Sequence, residues 1–271
     1  MPRKVAAAAA AATVKACLDF NIQKVLFMLK DMIWFPQSPN PKCVQCGFPI
    51  KTLFVQYSPG NIRLMKCESC KAVADQYIEC ELMIPLIDLI LHKPKAYRHL
   101  LYNVLNHETV NLEALLWKSA IGFYLLDAYR SLLLRQSDEE HSSSMTFSSL
   151  TWICQKMLKD VIFGNIVFLC VFFLASRTLL NTPSRVFRFR DFVLAILVSS
   201  YLKIFLVAMM VWKFPSSAIF VVDLFVLSSN AVALKVITES SMIRTIGACF
   251  VAHAVKFFFI ILGLELSSSR Y

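Results

Sequence analysis

Apolar residues are unevenly spread along this chain. Before residue 110 they come in short clusters broken by polar and turn residues; after it they form long runs nearly free of charge. Residues 161–176 are sixteen uncharged positions between Asp160 and Arg177. Residues 192–212 carry one charge, Lys203; residues 217–234 carry one, Asp223; residues 245–264 carry one, Lys256. Each run approaches the roughly 20 residues needed to cross a bilayer core. The pattern predicts spans near 161–180, 192–212, 217–237 and 245–265. A fifth run, 112–134, contains Glu113, Lys118, Asp127 and Arg130, so it lies in the interface or spans only in the company of other helices.

The early half reads differently. Ala6 to Ala12 is an unbroken alanine run, and a helical stretch over 14–35 follows it and stops before Pro36, Pro39 and Pro41. Residues 1–42 read as a variable extension. Thr52-Leu53-Phe54-Val55-Gln56-Tyr57 is β-branched and aromatic, as a strand requires, and Ser58-Pro59-Gly60-Asn61 is a turn. Ile62 to Lys66 returns as a second strand. Residues 81–108 predict two short amphipathic helices broken near Pro94, with Pro85 in the first turn of the first. Gln136 to Ser149 is a polar loop.

The candidate chemistry sits on the ends of that hairpin. Cys43-Val-Gln-Cys46 and Cys67-Glu-Ser-Cys70 are separated by twenty residues. Two such pairs at this spacing are the signature of a four-thiolate zinc site. Four protein sulfurs close the tetrahedron and leave no position for a reacting water, so Cys43, Cys46, Cys67 and Cys70 predict a structural ion. Residues 43–80 then form a zinc ribbon. Cys80 lies outside both knuckles and reads as a bystander. The other cysteines of the nine show no regular spacing, which makes a disulfide framework a poor reading.

Composition sharpens this picture. The chain has 271 residues, 57% hydrophobic and only 17% charged, which exceeds the apolar share of ordinary soluble domains. Its net charge of +10 orients loops and attracts anionic headgroups in a membrane protein. No basic stripe with interleaved aromatics marks a nucleic-acid surface, and no nucleic-acid partner is expected. Zinc thiolates need a reducing compartment, which puts the ribbon in the cytosol. Arg185, Arg188 and Arg190 mark the loop after the 161–180 span as cytosolic too. An even number of crossings must separate the two, so 112–134 counts as a span and the total becomes five. Four spans would place either the thiolates or the arginines on the lumenal side.

Other constellations are weaker. His107-Glu108-Thr109-Val110-Asn111 lacks the second histidine of a metalloprotease helix. His92 and His99 have no carboxylate nearby in sequence and read as polar-face or interfacial residues. Lys203, Asp223 and Lys256, with Asn230 and His253, are costly inside a bilayer and indicate pairing, a polar pathway or a ligand contact, unless the lysines snorkel. Asp223 paired with Lys203 or Lys256 is the concrete expectation. No nucleophile elbow or phosphate-binding loop is present.

The ribbon is followed by Val73-Ala74-Asp75-Gln76-Tyr77-Ile78-Glu79, then Ile84-Pro85-Leu86-Ile87-Asp88-Leu89-Ile90-Leu91, then Lys95-Ala96-Tyr97-Arg98-His99-Leu100-Leu101-Tyr102-Asn103. This order resembles the N-terminal homology domain of the Arv family. The resemblance covers residues 43–103 tightly, and the later spans only in kind. It implies a non-enzymatic protein of the endoplasmic reticulum membrane. Sterol transport and distribution and regulation of sphingolipid metabolism are the implied work, with sterol, sphingolipid or anionic headgroups and a lipid-biosynthetic membrane protein as partners. An accessory role in glycosylphosphatidylinositol-anchor synthesis, or a polytopic lipid-modifying transferase, is the alternative. The fold expected is a mainly α-helical polytopic membrane protein with a small N-terminal β-hairpin zinc ribbon, divided as 1–42, 43–80, 81–108 and 109–271. In that arrangement Lys93, Lys95 and Arg98 meet headgroups while Tyr97 and Tyr102 sit at interface depth.

Overall fold

The computed structural model describes residues 40–58, 61–105, 112–138, 147–180, 189–206, 215 and 217–268. It divides into two compact units: residues up to Leu91 with Lys95–Leu112, and His92–Pro94 with Glu113–Tyr271. The expected N-terminal helix, the His107-Glu108 motif and the arginine loop at 181–188 lie outside the described residues.

The first unit is built on a hairpin. Strand β1 (Phe54–Ser58) pairs antiparallel with β2 (Asn61–Leu64), with Phe54 opposite Leu64 and Gln56 opposite Ile62. The register slips between Gln56 and Ser58, next to the turn. Only the inner end of the hairpin is buried. Leu53, Phe54 and Ala74 form its core, against Ile50, Ile62, Leu64 and Ile78. A single 3-10 turn, Gln76–Glu79, follows.

Two helices then cover this unit. Helix α1 (Met83–Ile90) holds Pro85 in its first turn, where the missing N–H leaves no intrahelical bond unmade. It buries Pro85 and Leu89 and turns Met83, Ile84, Ile87 and Leu91 outward. The chain leaves it through His92, whose φ of 55° is the left-handed turn that stops a helix. Helix α2 (Pro94–Arg98) starts on a proline and widens into the π-helical turn His99–Val104, with Leu105 N–H donating to the Leu100 carbonyl at 2.9 Å. The break near Pro94 is where the sequence places it.

The second unit is all helix among its described residues. It comprises α3 (Leu112–Asp138), α4 (Phe147–Leu180), α5 (Phe189–Ser199) continuing as the 3-10 stretch Ser200–Ile204, α6 (Ser217–Thr238) and α7 (Met242–Ser268). Helices α4 and α7 pack along each other, and α6 packs against both α7 and α5. Their core is an aromatic seam with small residues opposite it: Phe168, Phe172 and Phe192 against Ala248, Cys249 and Ala252. The ring centroids of Phe168 and Phe172 lie 5.6 Å apart, and those of Phe172 and Phe192 5.4 Å.

Among the described residues, three helices are long and apolar enough to cross a membrane: Leu158–Leu180, Ser217–Thr238 and Met242–Phe259. They turn Phe163, Phe220, Phe250 and Phe258 outward, as lipid-facing helices do. The run predicted at 192–212 yields the shorter apolar helix Phe192–Ile204, with 207–214 outside the described residues. The run at 112–134 is helical throughout but too charged to qualify by itself.

Candidate metal centre and polar joints

Four sulfurs converge as the spacing predicts. The Sγ atoms of Cys43, Cys46, Cys67 and Cys70 all lie within 4.8 Å of one another. Cys43 Sγ is 3.7 Å from Cys70 Sγ, and Cys46 Sγ is 3.6 Å from Cys67 Sγ. A disulfide would bring the pair to about 2 Å. A tetrahedral ion with metal–sulfur bonds of about 2.3 Å spaces its sulfurs about 3.8 Å apart, so the observed set fits such an ion.

The two halves of this centre repeat one local design. Cys43 N–H donates to the Phe48 carbonyl at 2.9 Å, and Cys67 N–H to the Ala72 carbonyl at 2.8 Å. Gly47 N–H returns to the Cys43 carbonyl at 2.8 Å, and Lys71 N–H to the Cys67 carbonyl at 3.0 Å. Isolated bridges Lys42–Pro49 and Lys66–Val73 close each loop. The residue after each second cysteine takes a left-handed conformation, φ 79° at Gly47 and 61° at Lys71. Glycine does this freely; a lysine pays a steric penalty for the same turn.

These turns aim amides at sulfur. Backbone N–H groups of Cys70 and Ser69 hold the Cys67 thiol down to about 7, against desolvation. Burial pushes Cys43 up to about 12 and Cys46 upward as well. A cation is therefore needed to make thiolates of Cys43 and Cys46 at neutral pH. Cys80 stands apart, donating its thiol to the Gln76 carbonyl at 3.2 Å.

The family-like phrases of the sequence meet beside this centre. Asp75 is fully buried, and its Oδ2 accepts from His99 Nδ1–H and Asn103 Nδ2–H, each at 2.7 Å. Its Oδ1 accepts from Tyr77 N–H at 3.0 Å. Asn103 also clasps the backbone of Lys42, accepting from its N–H at 2.9 Å and donating to its carbonyl at 3.0 Å. Arg98 Nη1 donates to the carbonyls of Val44 and Gln45, at 3.1 and 2.7 Å. The first knuckle, the 3-10 turn and the π-helical turn are thus one hydrogen-bonded joint.

This corrects three expectations. His99 is neither interfacial nor far from a carboxylate, because folding brings Asp75 to it across 24 residues of chain. Tyr97 is buried, with its hydroxyl donating to the Leu89 carbonyl at 3.3 Å, and does not lie at interface depth. Arg98 is committed to the knuckle rather than to headgroups. Tyr102 lies under Lys42, whose Nζ is 4.2 Å from the ring centroid.

The membrane unit has its own polar centre. Asp127 on α3 accepts from Lys203 Nζ at 2.6 Å through Oδ1, and from Lys256 Nζ at 2.5 Å through Oδ2. Lys256 Nζ also donates to Asn165 Oδ1 at 2.6 Å. Arg130, one helical turn beyond Asp127, grips Asp223 through Nε and Nη2, with Nε 3.1 and 3.0 Å from the two oxygens. Asp223 is therefore paired with Arg130, not with either lysine as expected. The lysines do not snorkel: Lys203 is only 4% exposed. Asn230 joins α5 to α7, accepting from Ser199 and Ser200 and meeting His253 Nε2 at 3.3 Å. Asp127 and Arg130 were the missed residues. Their signal was present as an i, i+3 acid–base pair in the most charged of the apolar runs.

A multi-pass helical membrane protein with a four-cysteine head is the class these features define. The Arv1-like family model matches residues 42–234, and the chain belongs to that family. It is 56% identical to Protein ARV 1 of Arabidopsis thaliana over 216 residues, covering 80% of this chain and 86% of that protein. It is 30% identical to Protein arv1 homolog of Dictyostelium discoideum over 214 residues, covering 75% and 87%. Against Protein ARV1 of Homo sapiens the identity is 28% over 204 residues, covering 72% and 71%. None of these names carries an enzyme activity. No solved structure matches the chain.

Proposed function

We propose that this chain is a non-enzymatic mediator of lipid homeostasis in the endoplasmic reticulum membrane, moving or distributing sterol and influencing sphingolipid metabolism. Its head carries a structural zinc ion on Cys43, Cys46, Cys67 and Cys70 and faces the cytosol, and the bundle crosses the bilayer five times. Membership of the Arv1-like family supports the reading. The physical observation that carries it is the outward face of α1. Met83, Ile84, Ile87 and Leu91 are all exposed, the last at 60%, on a helix tied to its unit by Tyr77, whose hydroxyl donates to Asp88, and by Tyr97, whose hydroxyl donates to the Leu89 carbonyl. Four large apolar side chains on one helical face, followed by Lys93 and Lys95, suit the surface of an anionic membrane. The head then engages a leaflet while the bundle offers its apolar surface to a sterol.

The test is photocrosslinking of the full chain in liposomes with a photoactivatable sterol. Labelling of the bundle, reduced when Ile84 and Ile87 are changed to serine, is the expected result. Labelling no stronger than that of an unrelated multi-pass protein sinks the sterol reading. Copurification of a lipid-biosynthetic enzyme in that case supports the accessory-subunit alternative. Turnover of a lipid by the purified protein supports the transferase.

A further inference from the structure

The ribbon hairpin is open on one side. Strand β1 is buried only at Phe54, and Val55, Gln56, Tyr57 and Ser58 are all exposed. Strand alternation puts Phe54 and its partner Leu64 on the face that meets the small apolar core, and Val55 and its partner Arg63 on the other. Met65 follows Arg63 by two residues and is exposed as well. Tyr57 is the extra residue where the register slips, and such a bulge re-aims its side chain. It is 66% exposed.

Charge divides the head unevenly. Residues 40–73 hold Lys42, Lys51, Arg63, Lys66 and Lys71 against Glu68 alone. Residues 74–91, which include α1, hold Asp75, Glu79, Glu81 and Asp88 and no lysine or arginine. A zinc ion on four thiolates adds two negative charges to the first stretch and still leaves it positive. Lys51, Arg63, Lys66 and Lys71 are exposed, and none forms a salt bridge among the described residues.

We propose that the open face of the hairpin lies on an anionic phospholipid surface. Tyr57, Val55 and Met65 enter the interfacial layer, and Arg63, Lys51 and Lys66 meet the headgroup anions. Charge complementarity selects this occupant: exposed cations around a tyrosine and two apolar side chains are what a negative leaflet attracts. Size argues against a folded protein partner. The nine strand residues offer far less than the roughly 800 Å² per partner of a stable interface. A membrane needs no such area. Six residues, 106–111, join the head to α3 in sequence, so a bilayer surface is met at high effective concentration. This contact is separate from the α1 face, whose helix has no cation of its own, and it stands whether or not the chain handles sterol.

The experiment follows amide exchange by mass spectrometry in the metal-loaded full chain. The chain is placed in nanodiscs of phosphatidylcholine alone or mixed with phosphatidylserine. Exchange over residues 52–66 should slow in the phosphatidylserine discs. The protection should vanish at about 1 M salt, where the Debye length falls to about 3 Å. Arg63→Gln should shift the docking equilibrium about fivefold toward the free hairpin, the weight of one basic side chain at an anionic surface. Arg63→Glu should shift it further, and Arg63→Lys should behave as the wild type does. Tyr57→Ser keeps every charge and should also weaken the protection. Unchanged metal content reports that each variant is folded; where Arg63→Gln loses metal, Lys51→Gln takes its place. Exchange over residues 83–91 in the same spectra reports the α1 face separately, so either contact can fail alone. Equal exchange of the hairpin in the two kinds of disc overturns the proposal and leaves a protein as the occupant. Full protection retained by folded Arg63→Glu overturns it too.

Discussion

The two units of this protein solve the same problem with opposite chemistry. The head is too small for a deep apolar core and is held by polar devices: four converging sulfurs and the Asp75–His99–Asn103 joint. Its apolar side chains on α1 are left outside. The bundle has apolar surface to spare, and its charges are the buried part, with Asp127 clamped between Lys203 and Lys256. Water explains the difference. A small domain in water must crosslink itself because burial alone cannot offset its chain entropy. A bundle in lipid gains nothing from hiding apolar groups, so packing and buried polar contacts select which helices meet.

Removing the metal should break this comparison most severely. Chelation, or Cys43→Ser, should unfold the head while the helices of the bundle persist, since structural metal binding is worth on the order of 10 kcal/mol of folding free energy. Limited proteolysis of the full chain, with metal content measured in parallel, should show cleavage within residues 40–105 only. Acid should act in the same direction. Cys67 is held near 7, below its unfolded value near 9, so the stabilisation of its thiolate is present above 9 and is lost as the pH falls through 7. Cys43, raised to about 12, must release its proton to solvent when its sulfur binds the ion, so metal loading should weaken steadily below neutral pH.

The next largest effect belongs to the bundle. Asp127→Asn leaves two buried ammonium groups without their shared carboxylate and should cost about 3–5 kcal/mol. Thermal unfolding in detergent measures it. Asp223→Asn should cost less, because Asp223 is partly exposed. Equal losses would mean that burial does not rank the two ion pairs.

Asp75→Ala should cost about 3 kcal/mol, since it strands the donors of His99, Asn103 and Tyr77 at one stroke. The loss should appear in the head alone, as faster amide exchange through the π-helical turn and the first knuckle. The smallest effect sharpens the symmetry of the knuckles. Lys71→Gly relieves a left-handed lysine and should stabilise the head by about 1 kcal/mol, whereas Gly47→Lys should destabilise it by a similar amount. Equal and opposite shifts in metal-loaded unfolding would confirm that the two halves are mechanically alike.

Legibility in the sequence followed the range of the interaction. The C-x2-C pairs, the hairpin between them and the helix break at Pro94 are local, and each appears where the residues place it. The apolar runs at 161–180, 217–237 and 245–265 became apolar helices because length and composition suffice for that. The pairing of charges was not local. Asp127 sits 76 residues from Lys203 and 129 from Lys256, and nothing in the runs that hold the lysines names the run that holds their partner. Tyr97 and Arg98 look amphipathic on paper, yet they serve the interior because α2 lies against the first knuckle.

The order of residues alone thus determined a sulfur-rich head, a helical membrane part and kinship with the Arv1-like family, since spacing and hydropathy are properties of neighbours along the chain. The fold alone decided which charge meets which and that His99 belongs to Asp75. Those outcomes depend on how helices are set beside one another, and that is fixed by the packing of side chains distant in sequence.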